Sequence, residues 1–129
     1  LRLSDTEIFS DLIPKGKADL IISMEPMEAL RYLPYLDENG VVVTSTTALI
    51  NINDYPDIEK IKGELKKLPR LVCAECTSNM EILGMAAKYI EILTPAQLKE
   101  ALCRIFSTKG ADVVKKNCEF FDKGLEFGK

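Results

Sequence analysis

The chain has 129 residues, with 47% apolar and 29% charged side chains and a net charge of −3. This is enough chain to bury about two-thirds of its unfolded surface around one core, and the balance is that of a folded protein, not a disordered tail. No Lys/Arg cluster forms a phosphate-tracking patch, so nucleic acid is not an expected partner. The apolar runs also fall far short of the ~20 residues that span a bilayer.

In chain order, "LRLSDTEIF" reads as two short extended pieces around Ser4-Asp5-Thr6, a hairpin. "IPKGKA" is a polar turn. "DLIIS" (19–23) is a continuous apolar run, the pattern of a strand covered on both faces. Pro26 suits a helix start, where no N–H is needed. Met27, Leu30 and Leu33 follow at helical spacing until Pro34 ends or kinks the helix. Asp37-Glu38-Asn39-Gly40 reads as a turn, "VVVTST" (41–46) as a second buried strand, and "ALININDYP" as a longer connection.

Asp57 is placed to cap the next helix, whose inner stripe is Ile58, Ile61, Leu65 and Leu68. Pro69 stops it, and "RLVCA" is a third strand. Strand and helix alternate throughout this part, which argues for a parallel sheet with crossover helices. Beyond Cys76 the pattern is all helix. Ser78-x-x-Glu81 has the form of a capping box, opening a helix with Met80, Leu83, Ala87 and Ile90 on one face. Gly84 weakens that helix by about 1 kcal/mol, a cost that close packing would explain. Thr94-Pro95-Ala96-Gln97 is another start signal, followed by Leu98, Leu102, Ile105 and Phe106. The last helix, about 111–127, carries Val113, Val114, Asn117, Phe121 and Leu125 on one side. The expected fold is a three-layer α/β/α domain over residues 1–129, with an open, mostly parallel sheet and a helical C-terminal third.

There is no histidine, which removes His-based catalytic pairs and His-ligated metal. Cys103 and Cys118 fall at apolar-face positions, as free cytosolic thiols do. Together with the absence of a visible secretory signal, this makes the cytoplasm the expected compartment. Cys73-Ala74-Glu75-Cys76 is a lone CxxC before a helix start. A redox role would use the helix terminus to lower a thiol pKa, but no second ligand pair exists for zinc, and two structural thiols are the plainer reading. Asn117 reads as a buried amide bonded to a neighbouring loop.

Glu25 leaves two readings open. Ligands bind beyond the carboxyl ends of strands in open parallel sheets, and Glu25 stands there. A carboxylate beside a helix N-terminus also gains about 0.3–1 kcal/mol with no ligand at all. Asn79, in the first turn of its helix, can likewise close a turn or offer its amide to a ligand. No nucleotide-binding glycine loop follows the first strand.

"IPKGKADLIISMEPMEALRYLPYLDENGVVVTST" resembles the gamma-type catalytic domain of the 2-oxoacid:ferredoxin oxidoreductases, and within that family the small (beta) subunit acting on indolepyruvate. Ala18-Asp19, Glu25-Pro26-Met27-Glu28-Ala29-Leu30 and Gly40 carry the likeness, with Asn79, Leu83, Gly84, Asn117 and Gly124 further on. The resemblance implies an opening strand and Gly-Gly-x-Gly loop ahead of Leu1, and a longer link between Leu71 and Ser78 than this chain has. It also implies a role in thiamine-diphosphate-dependent conversion of a 2-oxoacid and CoA to acyl-CoA, CO2 and reduced ferredoxin.

Thiamine diphosphate, Mg2+ and the iron-sulfur clusters are expected in a large partner subunit, since this chain lacks the cysteine sets that clusters need. Self-association is a further expectation, and the chain alone is expected to be inactive. Glu25 and Asn79 are the implied positions near the shared active site. The alternatives are a non-catalytic structural or binding subunit and a stand-alone nucleotide-binding α/β protein.

Overall fold

The computed structural model describes residues 1–127; the last two positions of the expected domain lie outside the described residues. Three parallel strands form one sheet in the order β1-β2-β3: β1 Ala18–Ser23, β2 Leu36–Ser45 and β3 Leu71–Ala74. α1 (Pro26–Tyr32) joins β1 to β2, and α2 (Ile58–Leu65) joins β2 to β3. α3 (Asn79–Ala86), α4 (Pro95–Phe106) and α5 (Ala111–Phe127) complete the chain. The expected α/β architecture is present.

Alternation along β2 divides the core. Val42 faces α1 and α2, where it meets Ala29, Ile61 and Leu65. Val41 and Val43 face the other way, onto Ile82, Met85 and Ala86 of α3. The period of two in a strand makes this sorting automatic. α3 then has a second apolar side: Met80 and Leu83, with Ala87 just beyond its end, pack with Leu102 of α4 and Phe121 of α5. A helix that is apolar nearly all round is buried on both faces, so the single face read from the sequence was half of its packing. Ile90 lies beyond this helix, which tightens into a 3-10 turn at Ala87–Tyr89. Ile105, expected on the inner face of α4, is exposed.

The helix starts are locally encoded. Asp57 Oδ1 accepts the Glu59 N–H at 3.0 Å. Thr94 and Gln97 form a complete capping box ahead of Pro95. Ser78 caps α3 through the Met80 N–H at 3.2 Å, but the expected reciprocal bond is shifted by one residue: Glu81 accepts from Thr77, not from Ser78.

Two other expectations fail. Residues 1–17 contain no strand, and Leu1, Leu3, Phe9 and Leu12 stay exposed. An isolated two-stranded ribbon without an apolar face to cover is marginal in water. The turn expected at 37–40 lies inside β2 as a bulge: Ala18 pairs with Leu36, while Leu20 already pairs with Val41. Asp37 Oδ1 accepts the Asn39 N–H at 2.9 Å, so the turn chemistry is real but is absorbed by the sheet. Gly40 is required there, because a Cβ would come within 2.9 Å of the Ala18 carbonyl oxygen.

Candidate functional site

Parallel pairing brings the carboxyl ends of all three strands to one edge of the sheet. β1 leaves it through Ser23-Met24-Glu25, β2 through Thr46-Thr47, and β3 through Glu75–Ser78.

At the β1 end, Ser23 Oγ donates to the Glu25 carbonyl oxygen at 2.7 Å and accepts the Glu25 N–H at 3.3 Å. This fixes the strand-to-helix corner. Glu25 is buried and is the N-cap of α1: its Oε2 accepts the Glu28 N–H at 2.9 Å. Its other oxygen, Oε1, accepts the Tyr55 hydroxyl. Tyr55 comes from the connection after β2 and packs in the core layer under α1 and α2. Burial pushes the Tyr55 phenol up to about 12, helped by its bond to Glu25 and by the negative charges of Glu25 and Glu28. Both carboxylate oxygens of Glu25 are therefore bonded to the fold.

At the β2 and β3 ends the polar groups interlock. Ser45 Oγ accepts the Thr47 N–H at 3.0 Å and the Cys76 N–H at 3.4 Å, and Thr46 N–H donates to the Ala74 oxygen at 2.8 Å. A cavity of about 200 Å³ lies beside them, lined by Thr46, Lys62, Leu65, Lys66 and Cys73. Lys62 pairs with Glu59 at 3.1 Å.

The CxxC does not bring its sulfurs to a common function. Cys73 lines that cavity, whereas Cys76 is buried with Sγ 3.5 Å from Met85 Sδ. Burial, with the Glu81 charge second, pushes the Cys76 thiol up to about 11, the opposite of an activated thiolate. Cys103 and Cys118 meet elsewhere, between α4 and α5. Among the described residues no group of three or more His, Cys, Asp or Glu side chains could hold a metal ion. This donor set does not fit a resident iron-sulfur cluster.

Asn79 is exposed at the first position of α3, at the same sheet edge as Glu25 but at the end of β3. No hydrogen bond joins the two among the described residues. Asn117 is half-buried and donates to the Val113 oxygen of its own helix at 2.8 Å, not to a neighbouring loop as expected. In a helix the carbonyl four residues back is the nearest acceptor, and it wins. Glu81, a capping-box position in the sequence pattern, is a buried carboxylate. It takes the Thr77 N–H and an ion pair from Lys123 of α5 at 2.6 Å. Tyr55 carries no signal in the sequence, since a tyrosine in a connecting loop belongs to no periodic pattern.

No helix among the described residues is long and apolar enough to cross a membrane. Residues 1–127 match the family model described as pyruvate ferredoxin/flavodoxin oxidoreductase. Similar curated proteins include three named indolepyruvate oxidoreductase subunit IorB. That from Archaeoglobus fulgidus is 35% identical, over 60% of this chain and 42% of its own length. Those from Pyrococcus horikoshii and Thermococcus kodakarensis are 28% and 27% identical, each over 95% of this chain and 69% of its own length. The chain thus spans between two-fifths and seven-tenths of these relatives.

Proposed function

This chain belongs to the pyruvate ferredoxin/flavodoxin oxidoreductase family, and on that premise we propose that it serves as one subunit of an indolepyruvate:ferredoxin oxidoreductase. The reaction is oxidative decarboxylation: a 2-oxoacid, indolepyruvate or another arylpyruvate, and CoA give acyl-CoA and CO2, and two electrons pass one at a time to ferredoxin. Thiamine diphosphate, Mg2+ and the clusters are held by the large partner subunit in this reading, and they supply the carbanion and electron-transfer chemistry.

The role of this chain is to complete the assembly at the carboxyl edge of its sheet. The observation that carries the reading is the family match over the whole described chain, supported by relatives whose names all specify a subunit. The exposed apolar side chains of Ile22 and Met24 after β1, and of Leu49, Ile50 and Ile52 after β2, are suited to burial against a partner. The Asn79 amide is exposed on this edge, and in this reading it is offered to substrate or CoA.

A second reading is favoured by Glu25. Its oxygens are already used by Glu28 and Tyr55, so its task is to hold the corner and not to touch a ligand. The test of the overall reading is co-expression with a thiamine-binding large subunit. Purified complex should reduce a viologen dye with indolepyruvate in a CoA-dependent manner, and the chain alone should not. Turnover by the isolated chain, or failure to co-purify with the large subunit, would overturn it.

A further inference from the structure

The thiol pair that spacing singles out, Cys73 and Cys76, forms no mutual hydrogen bond among the described residues, yet a pair fifteen residues apart does: Cys103 Sγ lies 3.0 Å from Cys118 Sγ. We propose that Cys103 and Cys118 form a reversible intramolecular disulfide, a redox modification site that clamps α4 to α5.

The geometry is set by the helix pair, not by the thiols. α4 and α5 run antiparallel, joined by a short turn through Ser107–Gly110, where Gly110 takes a φ of +100°. Lys99 of α4 grips Asp122 of α5 with Nζ at 2.8 and 2.6 Å from its two carboxylate oxygens. One helical turn along each helix, in opposite directions, places Cys103 opposite Cys118. The apolar contacts of Leu98, Leu102 and Phe106 with Phe121 and Leu125 hold the same register. A disulfide needs about 2.05 Å between sulfurs, so bond formation asks for closure of about 1 Å, within the reach of side-chain rotation. Both cysteines are half-buried at the surface of the hairpin, so a small reagent can reach them. Cys76, by contrast, is sealed against Met85.

The oxidant is a low-molecular-weight disulfide such as oxidised glutathione. One protein thiolate attacks it, forming a mixed disulfide and releasing one small thiol. The second protein thiolate then attacks the protein sulfur of that mixed disulfide and releases the other small thiol. Two electrons pass from the cysteine pair to the small disulfide, and the two thiol protons end on the two released small thiols. Excess small thiol reverses the sequence.

The hydrogen bond that the Cys118 thiol makes with Cys103, and burial after it, push that thiol up to about 11. Attack by the Cys118 thiolate is therefore slow at neutral pH and accelerates in alkali. Because the bond closes a loop that the unfolded chain would otherwise leave open, the oxidised form is the more heat-stable one.

The test equilibrates the reduced full chain in glutathione buffers of graded oxidised-to-reduced ratio, quenches in acid, alkylates the remaining thiols and maps the products by mass spectrometry. A Cys103–Cys118 crosslinked peptide is expected, half-formed at an oxidised-to-reduced ratio at least about tenfold lower than any Cys73–Cys76 product. The oxidised chain should melt several degrees higher, and a reductant should remove the shift. Cys103→Ala and Cys118→Ala should each abolish the crosslink, and Cys73→Ala should leave it. Four alkylated thiols across the whole series, glutathione adducts without the crosslink, or a Cys73–Cys76 bond forming first would each overturn the proposal. None of these results bears on the oxidoreductase assay.

Discussion

Gly84 of α3 and Gly124 of α5 each lie directly against the other's helix backbone: a Cβ on Gly84 would overlap the Phe121 carbonyl oxygen, and one on Gly124 would overlap the Glu81 carbonyl oxygen. The two helices cross at a distance that only glycine permits. The buried Glu81 and its ion pair with Lys123 brace the same crossing. Gly84→Ala and Gly124→Ala should each destabilise the chain by about 1–3 kcal/mol, despite the gain of about 1 kcal/mol in helix propensity. Gly63→Ala in α2 is the control, since nothing lies within 4 Å of its Cβ, and it should raise the melting temperature slightly. Urea denaturation of the three variants checks this, and a Gly84→Ala protein as stable as the parent would contradict the close crossing.

Glu25 and Tyr55 should be energetically coupled. Glu25→Gln leaves one oxygen to serve two donors, so it should cost about 1–3 kcal/mol, as loss of a charge-assisted bond and part of a cap does. This exceeds the dipole effect alone. Tyr55→Phe should make Glu25→Gln less costly by at least about 0.5 kcal/mol in a double-mutant cycle. Strict additivity of the two losses would show that the contact contributes nothing.

The raised phenol pKa of Tyr55 links stability to alkaline pH. The folded chain holds this proton up to about pH 12, whereas an unfolded tyrosine loses it near pH 10. The contribution is thus fully present below about pH 10 and is lost as pH rises through 12. Phenolate absorbance should show a late titration step that vanishes in Tyr55→Phe, and the stability difference between parent and variant should shrink across the same window. A parent chain with no such late step would refute the half-buried contact with Glu25.

Asn79→Ala separates folding from function. The side chain is exposed and Ser78 already provides the cap, so the melting temperature should hardly move. In the reconstituted complex kcat/KM should fall tenfold or more, about 1.4 kcal/mol. Glu25→Gln should do the reverse, lowering the melting temperature more than turnover. Unchanged turnover in Asn79→Ala would remove it from the active-site edge.

What the sequence determined by itself is what a few neighbouring residues can encode. Pro26, Asp57 and Thr94-Pro95 start helices because the groups that satisfy a free N–H, or replace it, lie within three residues. Val41–Val43 make a buried strand whatever surrounds it, and the alternation of strands with helices dictates a parallel sheet that gathers Glu25 and Asn79 at one edge. The tertiary structure decided everything that depends on a partner distant along the chain. It turned residues 37–40 from a turn into a bulge, because the Ala18–Ser23 strand offered hydrogen bonds on either side. It brought Tyr55 to Glu25 across thirty residues. It set Cys103 against Cys118 while leaving the CxxC apart, because the register of two antiparallel helices, not spacing in sequence, fixes which side chains meet. Local bonds are chosen by chemistry within a turn, and distant ones by which packed arrangement covers the most apolar surface.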